Sequence, residues 1–276
     1  MKGKAYAAGT VLNALATGIG CAFGIELFLK LKIKPDDENV LIVNGTERKS
    51  DLIEKILSGL NERACVIVKS EIPEKSGLGS SSAFLNALLI AIYKKKRDEL
   101  IASKLLKLNA EISLEVKISY TGAFDDASAS LLGGLVISDN YRRGLKEWII
   151  LRGYAAILLP EFKRGNVDWE KIKRENYRLK NVELKLKRHE FREVMRENTR
   201  FYCEMIGYPL EIAERLWKEN ICCGLSGNGP SFVAIGNKNE MNIAKEIWGE
   251  YGKVIVKKIP EKPVDELVID RELFLE

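Results

Sequence analysis

The stretch PEKSGLGSSSAFLNALLIAIYKKK, residues 73–96, places a loop of glycines and serines directly before a long apolar run. The apolar run predicts a helix from about Ser81 to Lys95. Glycines at 77 and 79 allow the backbone to approach a ligand closely, and the free N–H groups at a helix N-terminus attract anions. The serine hydroxyls add ligands for phosphate or a metal ion. We therefore predict a phosphate site here; the alternative is a serine cap on the helix, preceded by flexible glycines.

The composition is that of a folded globular protein. A chain of 276 residues is long enough for one large domain or two ordinary ones. Of these residues 46% are hydrophobic, as in folded proteins. No apolar run reaches the roughly 18 residues of a membrane span, and the first residues lack a signal-peptide pattern, so we expect a cytoplasmic protein. The five cysteines are not spaced as metal ligands or as a disulfide framework. The net charge of +5 fits an anionic ligand and also weak nucleic-acid binding.

Strand and helix patterns alternate along the chain and predict a mixed α+β fold of two lobes. From about residue 165 the pattern reads α-α-β-α-β, and a soft boundary between the lobes falls near 150–160. Before residue 165 we predict helices at about 81–95 and 99–114, strands at 25–34, 64–72, 133–139 and 148–160, and a tight turn at Asn44-Gly45 that ends the short apolar run of 40–48.

Three segments resemble motifs of the GHMP kinase superfamily, which includes galactokinase, homoserine kinase and mevalonate kinase. Residues 73–83 match its phosphate-loop signature, Pro-x3-Gly-Leu-Gly-Ser-Ser-x-Ala. GLSGNGPSFVAI at 224–235 resembles its C-terminal glycine motif, and residues 2–25 stand where its N-terminal substrate motif stands. The resemblance implies an N-terminal lobe, 1–152, similar to ribosomal S5 domain 2, and a ferredoxin-like C-terminal lobe, 153–276. ATP and an alcohol acceptor would meet in the cleft between them.

The same resemblance implies residues that bind ATP and Mg²⁺. Mg²⁺ prefers hard oxygen ligands, and the implied ones are Ser81 and Glu115, which stands eleven residues before Asp126. Glu111 stays open as an alternative to Glu115. The implied nucleotide-binding residues are Pro73, Lys75, Ser76, Gly77, Leu78, Gly79, Ser80, Ser81, Ser82, Gly227 and Gly229.

The acidic pair in TGAFDDASASLLGG, residues 121–134, supplies the implied catalytic base. In mevalonate-kinase-like members an Asp before a Gly-Gly pair has this role, and counting back seven residues from Gly133 reaches Asp126. Asp125 stays open as the alternative base, and without the resemblance the pair would be interpreted as a solvated helix cap. Lys4 stands where several members carry a cation that favours the ionised Asp. Its alternative interpretation is a surface lysine at the start of a strand.

The acceptor is implied by GTVLNALATGIGCAFGI, residues 9–25, taken with residues 121–134. Both resemble the archaeal-type shikimate kinases within the superfamily. This implies phosphorylation of the 3-hydroxyl of shikimate by ATP, with Thr10, Asn13, Thr121 and Asp126 binding the substrate.

The carboxylate of shikimate needs a cation, and the sequence does not decide among Arg142, Arg143, Arg196 and Arg200. Homoserine or a mevalonate-type alcohol is the alternative acceptor. An RNA-binding module is the alternative class of protein, although no interleaved aromatic and basic residues suited to stacking bases are present. We expect neither a nucleic acid nor a membrane as partner, and the sequence does not predict an oligomeric state.

Overall fold

A computed structural model describes residues 1–276, which form two β-sheets with helices packed on them. The first sheet holds seven strands and the second holds four. The elements of the first layer are β1 (Lys2–Leu12), β2 (Ile19–Pro35), β3 (Val40–Val43), β4 (Thr46–Arg48), α1 (Asp51–Gly59), β5 (Ala64–Ser70), α2 (Ser80–Lys96), α3 (Ala102–Glu115), α4 (Phe124–Leu132), β6 (Leu135–Asp139) and β7 (Gly144–Ile149).

The long strand β2 organises the first sheet. It pairs with β1 along one edge, while on the other edge β6 pairs with its first residues and β5 with its last. The strand order is β4-β3-β5-β2-β6-β7, with β1 beside β2. Asn44 and Gly45 both have positive φ and close the β3–β4 hairpin, which confirms the tight turn predicted from this dipeptide. Strand β1 pairs with β2 alone, and helices α2 and α4 pack on it, so its end is fixed relative to these helices.

Helix α2 is the central helix of the first layer and packs on β1, β2 and α4. Ten of its residues are buried, so it is apolar around most of its circumference and not along a single stripe. Its one buried amide side chain is satisfied, since Asn86 Nδ2 donates to the Ala127 carbonyl oxygen at 2.8 Å. The helix predicted at about Ser81 to Lys95 is confirmed, and α3 confirms the second predicted helix.

The second sheet is antiparallel throughout, with strand order β11-β8-β10-β9. Its connectivity, a strand, helices, two strands, a helix and a final strand, is that of a ferredoxin-like layer, which confirms the predicted α+β class. The elements are β8 (Tyr154–Pro160), α5 (Trp169–Arg174), α6 (Val182–Lys187), α7 (Phe191–Ile206), α8 (Glu211–Lys218), β9 (Cys222–Leu225), β10 (Phe232–Gly236), α9 (Lys238–Trp248) and β11 (Gly252–Lys258), with 3₁₀ turns at Asn176–Leu179 and Arg271–Leu273.

The chain after β11 returns to the first layer and joins the two sheets. Backbone N–H groups of Val264 and Leu275 donate to the carbonyl oxygens of Leu131 and Leu145, at 2.9 and 2.8 Å. A single cluster of 76 buried apolar residues extends through both layers. The predicted limit between 152 and 153 falls in the connection of β7 to β8, and the two units stay a proposal. None of the helices is long and apolar enough to cross a membrane.

Candidate active site

A cleft of about 690 Å³ opens where three segments of the chain meet. They are the loop before α2, the start of α4, and the turn between β9 and β10. The end of β1 lies beneath them and hydrogen bonds to two of the three. Its Ala8 N–H donates to the Leu78 carbonyl oxygen at 3.1 Å, and its Thr10 Oγ1 accepts from the Gly227 N–H at 2.8 Å. The motifs that the sequence placed far apart therefore form one wall.

The loop before α2 requires glycine at two positions. Gly77 has a φ of +85°, and a Cβ there would overlap the Ser226 carbonyl oxygen of the β9–β10 turn. Gly79 has a φ of +64°, and its Cβ would lie 3.1 Å from Ala8 Cβ and 3.5 Å from Asp126 Cβ. The glycines thus let the loop lie against the β9–β10 turn on one side and against the acidic pair on the other.

The N-terminus of α2 has the features of an anion site. Gly79 occupies the N-cap position in the left-handed conformation and no side chain caps the helix, so the alternative of a serine cap is wrong. The first turn carries no acidic residue, and the first intrahelical bond is from the Ala83 N–H to the Gly79 carbonyl oxygen, at 2.9 Å. The preceding amides have no partner within the helix and favour a negative group. Ser80, Ser81 and Ser82 line the cleft at this point.

The β9–β10 turn is fastened to the loop by two hydrogen bonds. Ser226 Oγ donates to the Gly77 carbonyl oxygen at 2.8 Å, and the Ser231 N–H donates to the Ser76 carbonyl oxygen at 3.0 Å. Asn228, on the same turn, accepts a hydrogen bond from Asn13 Nδ2 at 2.9 Å. The C-terminal glycine motif therefore lies beside the phosphate loop, as its resemblance implied.

The two aspartates of α4 have different surroundings. Asp125 is buried and accepts a hydrogen bond from Asn140 Nδ2 at 2.9 Å, while its N–H donates to Asn140 Oδ1 at 3.2 Å. Gly20 leaves the space for its carboxylate, since a Cβ there would overlap it. Asp126 is partly buried and lines the cleft, and its Oδ1 is buried with no hydrogen-bond partner. The protein holds Asp125 by a hydrogen bond, whereas it provides no hydrogen-bond partner for Asp126 Oδ1 at the wall of the cleft.

Electrostatics also separates the pair. Burial raises the pKa of Asp125, and the hydrogen bond from Asn140 partly offsets that effect. Burial, with the charge of Asp125 added, raises the pKa of Asp126 well above its ordinary value. A carboxyl group with this pKa accepts a proton more readily than an ordinary aspartate does, which suits a general base.

The structure brings most of the predicted site residues to the cleft. Four others, Pro73, Ser76, Leu78 and Gly229, do not line the cleft. Ser76 Oγ donates a hydrogen bond to the Pro73 carbonyl oxygen at 2.7 Å. Leu78 is buried, and Gly229 packs on Tyr208. The predicted residues that line the cleft are Thr10, Asn13, Lys75, Gly77, Gly79, Ser80, Ser81, Ser82, Thr121, Asp126 and Gly227.

Two predicted residues lie away from the cleft. Lys4 is exposed in β1, opposite Lys30 of β2, and Glu115 is the exposed last residue of α3. The alternative metal ligand, Glu111, is exposed and pairs with Arg143 at 2.6 Å. None of the three is among the residues that line the cleft. The catalytic role of Lys4 and the metal role of Glu115 stay predictions that this geometry does not support.

The four arginines considered for the substrate carboxylate also lie elsewhere. Arg196 and Arg200 lie over the ring of Trp217, and Arg142 lines a separate cavity of about 320 Å³. The cations that do line the cleft are Arg48, Lys75 and Arg164. Sequence reasoning missed Arg164 because its loop follows β8 and carries no recognisable motif.

The end of the cleft away from Asp126 is apolar. Strands β3 and β5 and helix α1 contribute its side chains, which are Leu41, Val43, Val68, Ile53 and Ile56. Sequence reasoning missed this pocket, because α1 was not predicted. One cleft therefore combines an apolar pocket, an anion site at a helix N-terminus and an available carboxylate, the arrangement of an enzyme that transfers a phosphoryl group from a nucleotide.

Comparison with known proteins gives the same class. The family model of the GHMP kinases N terminal domain matches residues 47–134. A shikimate kinase of Archaeoglobus fulgidus is 53% identical over 274 residues, 99% of this chain and 98% of that protein. A shikimate kinase of Pyrococcus furiosus is 35% identical over 272 residues, 92% of this chain and 97% of that protein. The chain belongs to the GHMP kinase family, in the same branch as these archaeal relatives.

Solved structures agree on the fold. The mevalonate kinase of Methanococcus jannaschii superposes with a TM-score of 0.67 at 16% identity, covering 96% of this chain and 98% of that chain. A homoserine kinase from Cytophaga hutchinsonii gives a TM-score of 0.66 at 17% identity, covering 95% and 96%. The two-lobe α+β fold predicted from the resemblance is therefore confirmed as the GHMP kinase fold.

Proposed function

We propose that this protein is a kinase that transfers the γ-phosphoryl group of ATP to the 3-hydroxyl of shikimate. One observation carries the proposal: Asp126, whose Oδ1 has no partner, lies directly beside the glycine loop, its Cβ 3.5 Å from where a Gly79 Cβ would be. The acceptor follows from the shikimate kinases that resemble the chain over nearly its whole length. We place the reaction in the cytoplasm, where ATP is available and free thiols such as the five here stay reduced.

The nucleotide would occupy the cleft along its length. The apolar pocket between β3, β5 and α1 suits the flat face of a base, and the amides at the start of α2 suit a triphosphate. Lys75, in the same loop, adds a positive charge beside these amides. Positioning and charge neutralisation provide most of the catalysis in such transfers. The glycine loop and the N-terminus of α2 would therefore provide most of the binding of the reacting phosphate.

The donor atoms of the cleft fit Mg²⁺. The unpartnered Oδ1 of Asp126 and the hydroxyl of Ser81 are hard oxygens, and Mg²⁺ in kinase sites takes one or two carboxylates together with phosphate oxygens and water. We propose Ser81 as a ligand, with Asp126 available to a metal or to the substrate. When bound, the ion supplies charge neutralisation between the phosphates. Glu115 is not used in this proposal.

The acceptor hydroxyl would be oriented by Asp126, which takes its proton as the phosphoryl group is transferred. Asp125 is the weaker candidate for this step because Asn140 already holds it. Thr10 and Thr121 each accept a hydrogen bond from the protein, from the Gly227 N–H and from Asn140 Nδ2, so each hydroxyl keeps its proton for a substrate oxygen. Asn13 is bonded to Leu15 and Asn228 through its side chain, so we assign it to shaping the wall.

The test is an assay of ADP release with shikimate, homoserine and mevalonate as separate acceptors, followed by mass analysis of the product. We expect turnover with shikimate and a product heavier by one phosphoryl group. Turnover on homoserine or mevalonate with none on shikimate would contradict the substrate. Nucleotide hydrolysis that no acceptor accelerates would contradict the class of reaction.

A further inference from the structure

The cleft contains three cations, and two of them already have a role. Arg48 pairs with Glu74 at 2.6 Å. Lys75 belongs to the glycine loop, where the phosphates are proposed to lie. Arg164 pairs with no carboxylate of the chain and makes no side-chain hydrogen bond. It is exposed at the mouth of the cleft, on the loop between β8 and α5.

The backbone beside Arg164 is tied to the acceptor wall. The Gly165 N–H donates to the Tyr208 hydroxyl at 2.8 Å, and this hydroxyl donates to the Asn228 carbonyl oxygen at 3.1 Å. Asn228 Oδ1 in turn accepts from Asn13 Nδ2 at 2.9 Å. Three hydrogen bonds therefore link the loop of Arg164 to the end of β1, where Thr10 lies.

Charge within the cleft decides how an acidic acceptor can lie. Asp126 must be ionised to take the proton and would then repel a second carboxylate near it, so the acceptor must present its hydroxyl to Asp126 and its carboxylate away from it. An arginine fork matches the two oxygens of a carboxylate. Arg164 is the cation left for this purpose.

We propose that Arg164 binds the carboxylate of the acceptor and makes the cleft selective for hydroxy acids over neutral alcohols. The inference rests on the proposed function, because it assumes that a hydroxy acid such as shikimate is phosphorylated. It replaces the four arginines considered from the sequence with one that lines the cleft.

The first test compares Arg164→Gln and Arg164→Lys with the wild type, with Lys163→Gln as the matched control. Lys163 is the exposed neighbour of Arg164 and does not line the cleft. We expect Arg164→Gln to raise the KM for shikimate about 10- to 100-fold, the range of a charge-assisted hydrogen bond, with the KM for ATP unchanged. Arg164→Lys should recover part of the loss, and Lys163→Gln should behave as the wild type. A KM for shikimate within twofold of wild type in Arg164→Gln would overturn the inference.

The second test removes the carboxylate from the substrate, using shikimate methyl ester with each protein. The wild type should show a raised KM for the ester, whereas Arg164→Gln should treat acid and ester alike, because the interaction is already lost. If the KM for the ester exceeded the KM for the acid by the same factor in both proteins, Arg164 would act only through the shape of its loop, and the inference would be overturned. Wild-type protein that does not phosphorylate shikimate at all would instead count against the proposed function. Equal melting temperatures of the variants show that folding is not the cause.

Discussion

At the scale of single residues, Asp126 both destabilises the folded protein and carries the proposed function of the site. Its Oδ1 is buried without a partner, and Asp125 stands next to it in the first turn of α4. Burial and this neighbouring charge raise its pKa, so the ionised form destabilises the folded protein. Groups of this kind occur at active sites, because a structure selected only for stability has no reason to retain them.

Asp126→Asn should therefore stabilise the free protein at neutral pH. Because the pKa of Asp126 is raised in the folded protein, the free energy of unfolding falls as pH rises from the ordinary Asp value of 3.8 through the raised value. Asparagine does not ionise, so the variant does not lose this free energy. We expect the variant to melt at a higher temperature than wild type at pH 7, by about 2–4 °C for each kcal/mol regained, with the difference closing as pH falls toward 3.8. Melting curves from pH 4 to pH 8 measure this. A variant less stable than wild type at neutral pH would contradict the account.

The pH profile of activity should show the same group. If Asp126 must be ionised to accept the proton, kcat/KM falls as pH is lowered through its raised pKa in the free enzyme. We expect the midpoint of this acid limb to lie clearly above 3.8, the ordinary value for Asp. An acid limb at or below that value would show that the carboxylate does not have the surroundings described.

At the scale of elements, the sequence predicted what depends on a strong local pattern. The apolar run that forms α2 and the Asn44-Gly45 hairpin were found within a few residues. Strand β1 was anticipated only at Lys4, because its later residues are buried on both faces and lack the alternation of a half-exposed strand. The residues of the glycine loop and Asp126 lie at the cleft, whereas Lys4 and Glu115, which the resemblance also implied, do not. Arg164 lies at the cleft because of tertiary packing alone, and no local sequence pattern predicts this position.

The contact between the glycine loop and the β9–β10 turn can be tested at Gly77. Gly77→Ala would force a Cβ into the Ser226 carbonyl oxygen and separate the two segments. Gly207→Ala is the matched control, because Gly207 has nearly the same φ, +87° against +85°, and nothing within 4 Å of the added Cβ. Both should lose about 1–2 kcal/mol from the left-handed conformation. Only Gly77→Ala should also raise the KM for ATP several-fold, and equal kinetics in the two variants would mean that this contact does not shape the site.

At the scale of the whole molecule, the two layers share one core, and the chain after β11 closes it. We expect a single cooperative unfolding transition despite the two sheets. Leu273, fully buried in the returning segment, tests this. Leu273→Ala should lower the free energy of unfolding by about 2–5 kcal/mol and shift the whole transition. Val268→Ala, at a side chain that is 42% exposed in the same segment, should change it by about 0.5 kcal/mol or less. Two separate transitions would show that 1–152 and 153–276 unfold independently.

The central claim is that Asp126 acts on the acceptor beside a nucleotide held by the glycine loop, and a single-turnover experiment tests it most directly. Enzyme in excess is mixed with ATP and shikimate, and phosphoryl transfer and ATP binding are followed separately for wild type, Asp126→Asn and Asp125→Asn. The account predicts that Asp126→Asn binds ATP normally but transfers about 10²- to 10⁴-fold more slowly. Asp125→Asn, which can keep its bond to Asn140, should lose much less. Transfer by Asp126→Asn at the wild-type rate would contradict the account.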